Sequence, residues 1–278
     1  MRKQLVVCGD SQAEAVALVL QSVDFIKAAY DVRYVPAAPS NSGGQTILQA
    51  AAIVCEQTSA NQAALRKDIS PNQRRLRFPA LEFNLLWPLT CANPFDRAEP
   101  PKYPFGRFPY GDSFILNCIR RNMPAKKIME SYSVGAWPPT WPNLNKLFQT
   151  ESARLSSQDT RNDVKIGAFV LKYFRRKRLF WAAKNPSNLL FAELVFRLLH
   201  ACFGAEQPVD RIDLEKLLAG LGTRDLLATI SVPIHPLVAQ HFDLEWYDAD
   251  AAYPYFDGEY TYVQYFSEMI DHSVAVRA

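Results

Sequence analysis

The sequence has 278 residues, of which 49% are hydrophobic, 21% charged and 12% aromatic. This composition is typical of a globular protein and excludes a disordered chain, collagen or a coiled coil. The 31 Lys and Arg residues against 28 Asp and Glu leave a net charge of +3, too small to predict general binding to nucleic acid. No apolar run reaches the roughly 18 residues of a membrane-spanning helix, so we expect no transmembrane segment.

The five cysteines are widely spaced and contain no Cys-x-x-Cys pair; they are Cys8, Cys55, Cys91, Cys118 and Cys202. Most of them lie among apolar or aromatic neighbours, which predicts small buried side chains rather than disulfide partners. The apolar run near the N-terminus is too short for a secretory signal. We therefore expect the protein to be cytoplasmic.

The first 85 residues predict strands that alternate with helices. Leu5–Cys8 is a short β-branched run that ends at Gly9, and a helical pattern of apolar residues follows it as far as Ile26. Further strands are predicted at 31–35, 51–55 and 76–83. Because this alternation is typical of βαβ units, we expect an α/β fold with a parallel-sheet core.

Proline and aromatic residues dominate residues 86–110, a composition that is typical of a functional loop or a domain border. Mostly helical segments follow. The predicted elements are helices at 113–121, 125–132 and 164–175, a strand at 179–182, a helix from Pro186 to Cys202 that Gly204 caps, strand-like residues at 230–234, an aromatic stretch at 253–256, and a helix at 263–270. We expect one domain over 1–278, with an α/β part (1–85), loop and helices (86–160) and a predominantly helical second half with returning strands (161–278).

The turn Gly9-Asp10-Ser11-Gln12 is the first candidate site. A strand-to-helix turn places its residues at a helix N-terminus, where free N–H groups stabilise an anion or a developing oxyanion. Ser11 then stands where α/β enzymes often carry a nucleophile. The alternative is that Asp10 or Ser11 only caps the helix.

The second candidate is the basic run Arg175-Arg176-Lys177-Arg178. Cations suit a helix C-terminus, but four in succession also suit a phosphate-rich ligand, and we keep both interpretations. The segment that follows it contains Lys184, Asn185 and Asn188 in a polar turn before a helix, which is again a natural anion site.

The surroundings of two of the four histidines predict different roles. His200 lies in an apolar helical pattern and is predicted to be a core residue. His235 stands between Pro233 and Pro236 at a strand end, a rigid position for a general base, although a structural histidine suits the same place. No cluster has metal-ligand spacing, and neither a dinucleotide-binding nor a P-loop motif occurs, so we expect no metal.

Four segments together resemble the WcbI-type polysaccharide biosynthesis family. Residues 5–15 are similar to its strand–GNCQ–helix opening, and residues 78–88 to its FPxLxFxxxHP segment. Residues 109–113 also have a counterpart, and residues 179–188 are similar to its LFxTxNHPTN segment. The order and spacing of these segments extend over residues 5 to about 240.

The resemblance implies a fold similar in character to SGNH and papain-like proteins, and an O-acyltransferase. Such an enzyme transfers an acetyl group from acetyl-coenzyme A to a sugar or polysaccharide acceptor in bacterial surface or capsule biosynthesis. Arg175, Arg176, Arg178, Lys184, Asn185 and Asn188, with Gly9 and Gln12, would bind coenzyme A. The chain departs from the family where Ser11 replaces Cys, Asn185 replaces His and Trp87 replaces the His before a proline.

Three functions are compatible with the sequence. In a coenzyme A-dependent acyltransferase, the turn supplies oxyanion donors and His235 or Asp10 is the base. A serine esterase that acts on acylated glycans would share the Gly9-Asp10-Ser11 opening, but no Asp lies three residues before any histidine. A binding protein that has lost the Cys and His would keep the ligand pocket without chemistry.

Overall fold

The computed structural model describes residues 2–37, 42–58, 69–70, 72–135, 141–204, 208–222, 225–256 and 258–277. The chain divides into two compact units. The first comprises Met1–Leu81, Ser152–Tyr173 and Pro186–Leu227, and the second comprises Glu82–Glu151, Phe174–Asn185 and Ala228–Ala278. None of the described helices combines the length and apolar character that a membrane span requires.

The first unit contains a parallel sheet with helical connections. Its first elements are β1 (Lys3–Gly9), α1 (Ser11–Ser22), α2 (Asp24–Ala29), β2 (Tyr30–Pro36), α3 (Ser42–Ala50), β3 (Ile53–Thr58) and β4 (Arg74–Pro79). The sheet order is β2-β1-β3-β4, and all neighbouring strands are parallel. The expected α/β fold with a parallel-sheet core is therefore confirmed.

β1 is an inner strand of the sheet. The chain adds β2 on one side of β1 and then crosses to add β3 on the other side, so the strand order reverses at β1. Leu5, Val6, Val7 and Cys8 are all fully buried, as expected for a parallel strand covered on both faces. In the register, Cys8 lies opposite Val35 of β2 and Glu56 of β3. The carboxyl end of β1 therefore lies between β2 and β3, its two parallel neighbours.

Helices from later in the chain complete this unit. They are α7 (Gly167–Tyr173), α8 (Asn188–Phe203) and α9 (Arg211–Gly220), together with the C-terminal part of α6 (Leu144–Arg161). Much of α8 is apolar and buried, including Phe191, Leu194 and Leu198. Its burial explains why nearly the whole helix is hydrophobic rather than amphipathic.

The second unit is built from short strands and helices. Its elements are β5 (Thr90–Ala92), β6 (Tyr110–Asp112), α4 (Ser113–Arg120), α5 (Ala125–Ser133), the start of α6, β7 (Phe180–Ala182), α10 (Pro236–His241), β9 (Tyr253–Tyr255), β10 (Gly258–Tyr260) and α11 (Tyr262–Arg277); β8 (Asn185–Pro186) crosses the unit boundary. β5 pairs with β6 and β9 with β10, both antiparallel.

Aromatic residues from several segments, including the Pro- and aromatic-rich segment 86–110, pack in the core of this second unit. Phe83 lies 5.7 Å from Phe180 in a stacked pair, and Phe108 stacks on Tyr255 at 5.6 Å. Phe108, Tyr255 and Tyr265 are buried. The Pro- and aromatic-rich segment thus contributes to packing, and it begins just after the unit boundary at Leu81.

Several element boundaries differ from the sequence expectations. The first helical pattern is broken at Val23, whose extended backbone separates α1 from α2. The helix expected from Pro186 begins at Asn188 instead, because the Ser187 side chain caps it by accepting the Leu190 N–H. His200 is exposed on α8, so its assignment to the core is wrong.

Helix α7 is also shorter than the expected 164–175. The carboxylate of Asp159 accepts the N–H groups of Ile166 and Gly167, both at 2.9 Å. This cap comes from the neighbouring helix α6 and fixes the start of α7. The strand expected at 76–83 is β4, which ends at Pro79.

Candidate functional site

The turn between β1 and α1 lies where the strand order of the sheet reverses. Ligands of open α/β sheets bind in the crevice at the carboxyl ends of such strands. Asp10 caps α1, because its carboxylate accepts the Gln12 N–H at 2.8 Å. The N–H of Asp10 donates to Oε1 of Gln57, at the end of β3, at 2.8 Å.

Gly9 and Gln12 hold this turn in place. A Cβ atom at Gly9 would lie 2.3 Å from Oε1 of Gln57, so only glycine permits this approach. The buried Gln12 amide accepts the Leu81 N–H at 2.7 Å and donates to the Leu81 carbonyl at 2.8 Å. Gln12 therefore supports the turn, while contact of Gly9 and Gln12 with a cofactor stays a prediction.

Ser11 is the first residue of α1 and is exposed. Asp10 rather than Ser11 is the helix cap, which decides between the two capping interpretations. Within the described part of its unit, no hydrogen bond holds the Ser11 hydroxyl. The hydroxyl is thus accessible at a helix N-terminus, and its role as nucleophile stays a prediction.

Cys8 precedes this turn and, unlike the exposed Ser11, is inaccessible to solvent. Its side chain is fully buried in β1. Burial, assisted by the negative charge of Glu56, raises the pKa of the Cys8 thiol to about 12. A thiol with this pKa is a poor nucleophile, so Cys8 does not replace the cysteine expected at position 11.

The basic run follows α7 as a turn and belongs to the second unit. Arg175 and Arg176 are exposed, and Arg176 lies 3.8 Å from Glu245 in an exposed salt bridge. Arg175 lies over the Phe148 ring at 5.8 Å. Both side chains are available to solvent, as either the capping or the phosphate interpretation requires.

Arg178 differs from the rest of the run because aromatic rings surround it. Its guanidinium carbon lies 4.6 Å from the ring centre of Trp181, 4.9 Å from Trp246 and 5.1 Å from Tyr253. Burial lowers the pKa of Arg178. Among the described residues no hydrogen bond or salt bridge satisfies the guanidinium, which leaves its N–H donors for an anion.

The segment after β7 contains the remaining predicted binding residues. Lys184 is exposed, whereas Asn185 accepts the Tyr110 hydroxyl at 3.0 Å and donates to the Ile230 carbonyl at 2.8 Å. In the first unit, the buried Asn188 side chain accepts the Leu226 N–H at 2.9 Å. The two asparagines therefore brace loops, and their binding of coenzyme A stays a prediction.

His235 is buried and caps α10. Its Nε2 donates to the Tyr132 carbonyl at 2.8 Å, and its Nδ1 accepts the Leu237 N–H at 3.1 Å. Burial lowers the pKa of His235, so the imidazole is neutral at pH 7. Both ring nitrogens are engaged, as the structural interpretation predicts, and action as a base requires one of these bonds to open.

His235 also lines a partly open cleft within the second unit. Trp87, Tyr110 and Trp141 are among its aromatic lining residues, and Asp112 is the acidic residue that lines it. The Trp141 ring centre lies 4.7 Å from that of His235. Sequence reasoning identified only His235 among the polar residues of this cleft.

Asp112 is the residue that sequence reasoning missed. Its Oδ1 accepts the N–H groups of Phe114 and Ile115 at 2.9 and 3.1 Å, and its Oδ2 accepts the Tyr132 hydroxyl at 2.8 Å. Burial raises the pKa of Asp112 to about 6 although these bonds lower it. Its place in the Pro109–Ser113 segment that carries the family resemblance was the available signal.

The predicted site residues divide between the two units. Gly9, Asp10, Ser11, Gln12 and Asn188 belong to the first, and Arg175, Arg176, Arg178, Lys184, Asn185 and His235 belong to the second. Over the described ranges, no group of His, Cys, Asp or Glu side chains is arranged to hold a metal ion.

Comparison with known proteins gives two matches. The family model described as polysaccharide biosynthesis enzyme WcbI matches residues 4–207. A solved structure of WcbI, described as a novel polysaccharide biosynthesis enzyme and as native protein without a disulfide bond between coenzyme A and a cysteine, has a TM-score of 0.71 and 17% identity, and the alignment covers 98% of this chain and 90% of that chain. No curated protein matches the sequence. At this identity the structural likeness shows a shared fold.

Proposed function

Because the chain belongs to the WcbI family of polysaccharide biosynthesis enzymes, we propose that it is a coenzyme A-dependent acyltransferase. Its substrates are an acyl-coenzyme A, with acetyl as the simplest acyl group, and a sugar hydroxyl of a bacterial surface or capsule polysaccharide or of its precursor. The described cysteines are free, which suits the reducing cytoplasm, where we place the reaction.

The observation that carries the proposal is the unsatisfied guanidinium of Arg178. Coenzyme A has three phosphate groups and an adenine ring. An arginine that lies on aromatic rings and keeps its N–H donors free is suited to a phosphate, since the rings hold the guanidinium plane in position. Arg175 and Arg176 add positive charge from the same turn.

The turn at residues 9–12 is suited to the acyl-transfer step. A bound acyl-coenzyme A supplies a thioester whose carbonyl carbon is open to attack. The N–H groups at the start of α1 can stabilise the negative charge that develops on the carbonyl oxygen. Ser11, exposed at this position, is the proposed nucleophile, with Asp10 or His235 as its base; direct attack by the sugar hydroxyl dispenses with Ser11.

Calorimetric titration of coenzyme A tests the proposal. We expect R178A to bind at least about tenfold more weakly than the unmodified protein, or about 1.4 kcal/mol, because the variant loses a charge-assisted contact with a phosphate. R33A is the matched control, since Arg33 is an exposed arginine of β2 paired with Asp31. High salt should weaken binding because it screens the phosphates.

Two results would contradict this assignment. Absence of binding at millimolar coenzyme A would remove the whole proposal, and equal affinities of R178A and R33A would remove Arg178 from the site. A protein stabilised by the ligand should also show a higher melting temperature in its presence.

A second candidate is a binding protein without catalytic activity. It is favoured by the engagement of both His235 ring nitrogens and by the exposed Ser11 hydroxyl that no hydrogen bond holds within its unit. Acetyl-coenzyme A turnover by S11A, H235A and the double variant separates the two candidates. Non-additive losses indicate that both residues act in one step, while unchanged turnover in S11A indicates direct transfer.

A further inference from the structure

The cleft of the second unit combines features that suit a sugar ring. Trp87, Tyr110 and Trp141 line it with aromatic rings, and Trp141 is only half buried. A pyranose presents apolar C–H faces that pack on such rings, while its hydroxyls need hydrogen-bond acceptors. A largely apolar cleft with a few polar groups is the usual form of a small-molecule site.

Asp112 supplies an acceptor that its protein partners leave partly open. A carboxylate has roughly four acceptor positions, two on each oxygen. Oδ1 uses two of them for the N–H groups that begin α4, and Oδ2 uses one for the Tyr132 hydroxyl. One position on Oδ2 remains, and Asp112 lies in the cleft wall.

Tyr132 and His235, which also line the cleft, hold Asp112 in a fixed orientation. Tyr132 donates to the carboxylate and is itself buried between His235, at 4.8 Å, and Tyr262, at 6.3 Å, measured between ring centres. His235 accepts the first N–H of α10 and donates to the backbone of Tyr132. His235 and Tyr132 therefore position the carboxylate.

We propose that this cleft binds a pyranose ring of the acceptor, and that Asp112 accepts the proton of the sugar hydroxyl that becomes acylated. The inference rests on the proposed acyl transfer for its chemistry, whereas the binding of a sugar in the cleft stands without it. Asp112 is then the catalytic base of the direct transfer that dispenses with Ser11, Tyr132 is a positioning residue, and Trp141 provides the stacking surface.

The proposed transfer converts the thioester into an ester. The sugar oxygen forms a bond to the acyl carbon, and the C–S bond of the thioester breaks. The hydroxyl proton passes to Asp112, which releases it through solvent to the thiolate of coenzyme A, and coenzyme A leaves as the free thiol. Each turnover therefore converts one sugar hydroxyl and one acyl-coenzyme A into one sugar ester and one coenzyme A, and Asp112 returns to its ionised form.

Saturation-transfer NMR with a set of methyl pyranosides (glucoside, galactoside, mannoside and N-acetylglucosaminide) tests the binding. We expect transfer to the ring C–H protons of at least one glycoside with the unmodified protein, and loss of most of that signal in W141A. F105A is the control, because Phe105 is 75% exposed and does not line the cleft. No transfer to any glycoside, or an equal signal in W141A, overturns the sugar site.

The same samples are titrated with coenzyme A so that the two proposals are judged separately. Coenzyme A binding without a glycoside signal refutes only the sugar site, and a glycoside signal without coenzyme A binding refutes only the acyl-transfer assignment. W141A that retains coenzyme A affinity and loses the glycoside signal supports the sugar site and its separation from Arg178.

The role of Asp112 is tested with D112N and Y132F. We expect D112N to bind the glycoside within about threefold of the unmodified protein and to lose about 100-fold or more in kcat, the usual contribution of a general base. Y132F should shift the pH midpoint of kcat upwards, because the anion loses a hydrogen bond. A kcat of D112N within about twofold of normal, or an unshifted profile in Y132F, contradicts these roles.

Discussion

The substitution D112N should change how the stability of the protein depends on pH. Burial raises the pKa of Asp112 from 3.8 to about 6. Because the folded state holds the proton more tightly than the unfolded chain, unfolding releases protons between these values, and stability falls as pH rises through this interval. Asparagine cannot ionise, so the variant lacks this contribution.

The size of the effect follows from the shift. About two pKa units correspond to about 3 kcal/mol at 1.36 kcal/mol per unit. The free energy of unfolding of D112N, compared with that of the unmodified protein, should therefore rise by about 2.5 kcal/mol between pH 4 and pH 7, and the rest of the change lies below pH 4. Asparagine is also a good helix cap, so the start of α4 should persist in the variant.

Urea unfolding at several pH values between 4 and 7 measures this difference. The ionisable groups that act on Asp112 from the neighbouring elements are uncharged over this range, so they should not mask it; they are Tyr132, Tyr262, Tyr265, Cys91 and Cys118. D31N, at an exposed carboxylate of β2, is the control. A D112N difference that does not change with pH would refute the account of the buried carboxylate.

Three further predictions concern the turn at the start of α1 and the strand that precedes it. D10A should cost about 1 kcal/mol in free energy of unfolding, since Asp10 is the cap, while S11A should cost less than about 0.5 kcal/mol; equal losses would contradict the assignment of the cap. Q12A should cost about 1–3 kcal/mol because it leaves the Leu81 N–H unsatisfied, whereas Q21A, at an exposed position of the same helix, should cost about 0.5 kcal/mol or less. Iodoacetamide should label Cys8 only on unfolding, because the thiol is buried with a raised pKa; rapid labelling of the native protein, checked by mass spectrometry, would oppose this.

Much of the first unit could be predicted from the sequence because its elements are local. Short apolar runs predicted strands close to those of the sheet, and Gly9 marked the turn that follows β1. In the second unit, the expected helices at 113–121, 125–132 and 263–270 are likewise present as α4, α5 and α11, with shifted ends. In each case the periodicity of apolar residues within one segment carries the information.

Features that depend on distant partners could not be predicted in this way. The start of α7 is set by Asp159 of α6, and the helix α6 itself has a largely polar sequence that offers few apolar positions to recognise. Arg178 was identified from the basic run, but its aromatic neighbours Trp246 and Tyr253 come from much later in the chain.

The cleft shows the same limit. Asp112, Tyr132 and His235 come from three separate segments, and only their meeting in the fold reveals a buried carboxylate beside an aromatic wall. The predicted roles of Ser11 and His235 in catalysis, like the single-domain organisation over 1–278, stay predictions.

Acyl transfer from acetyl-coenzyme A to a methyl pyranoside, followed by mass spectrometry of the glycoside, tests the central claim most directly. We predict an acetylated glycoside and an equal amount of free coenzyme A with the unmodified protein, and a rate about 100-fold lower with D112N. Release of coenzyme A without an acetylated glycoside, or no release by a protein that binds both compounds, would contradict the claim.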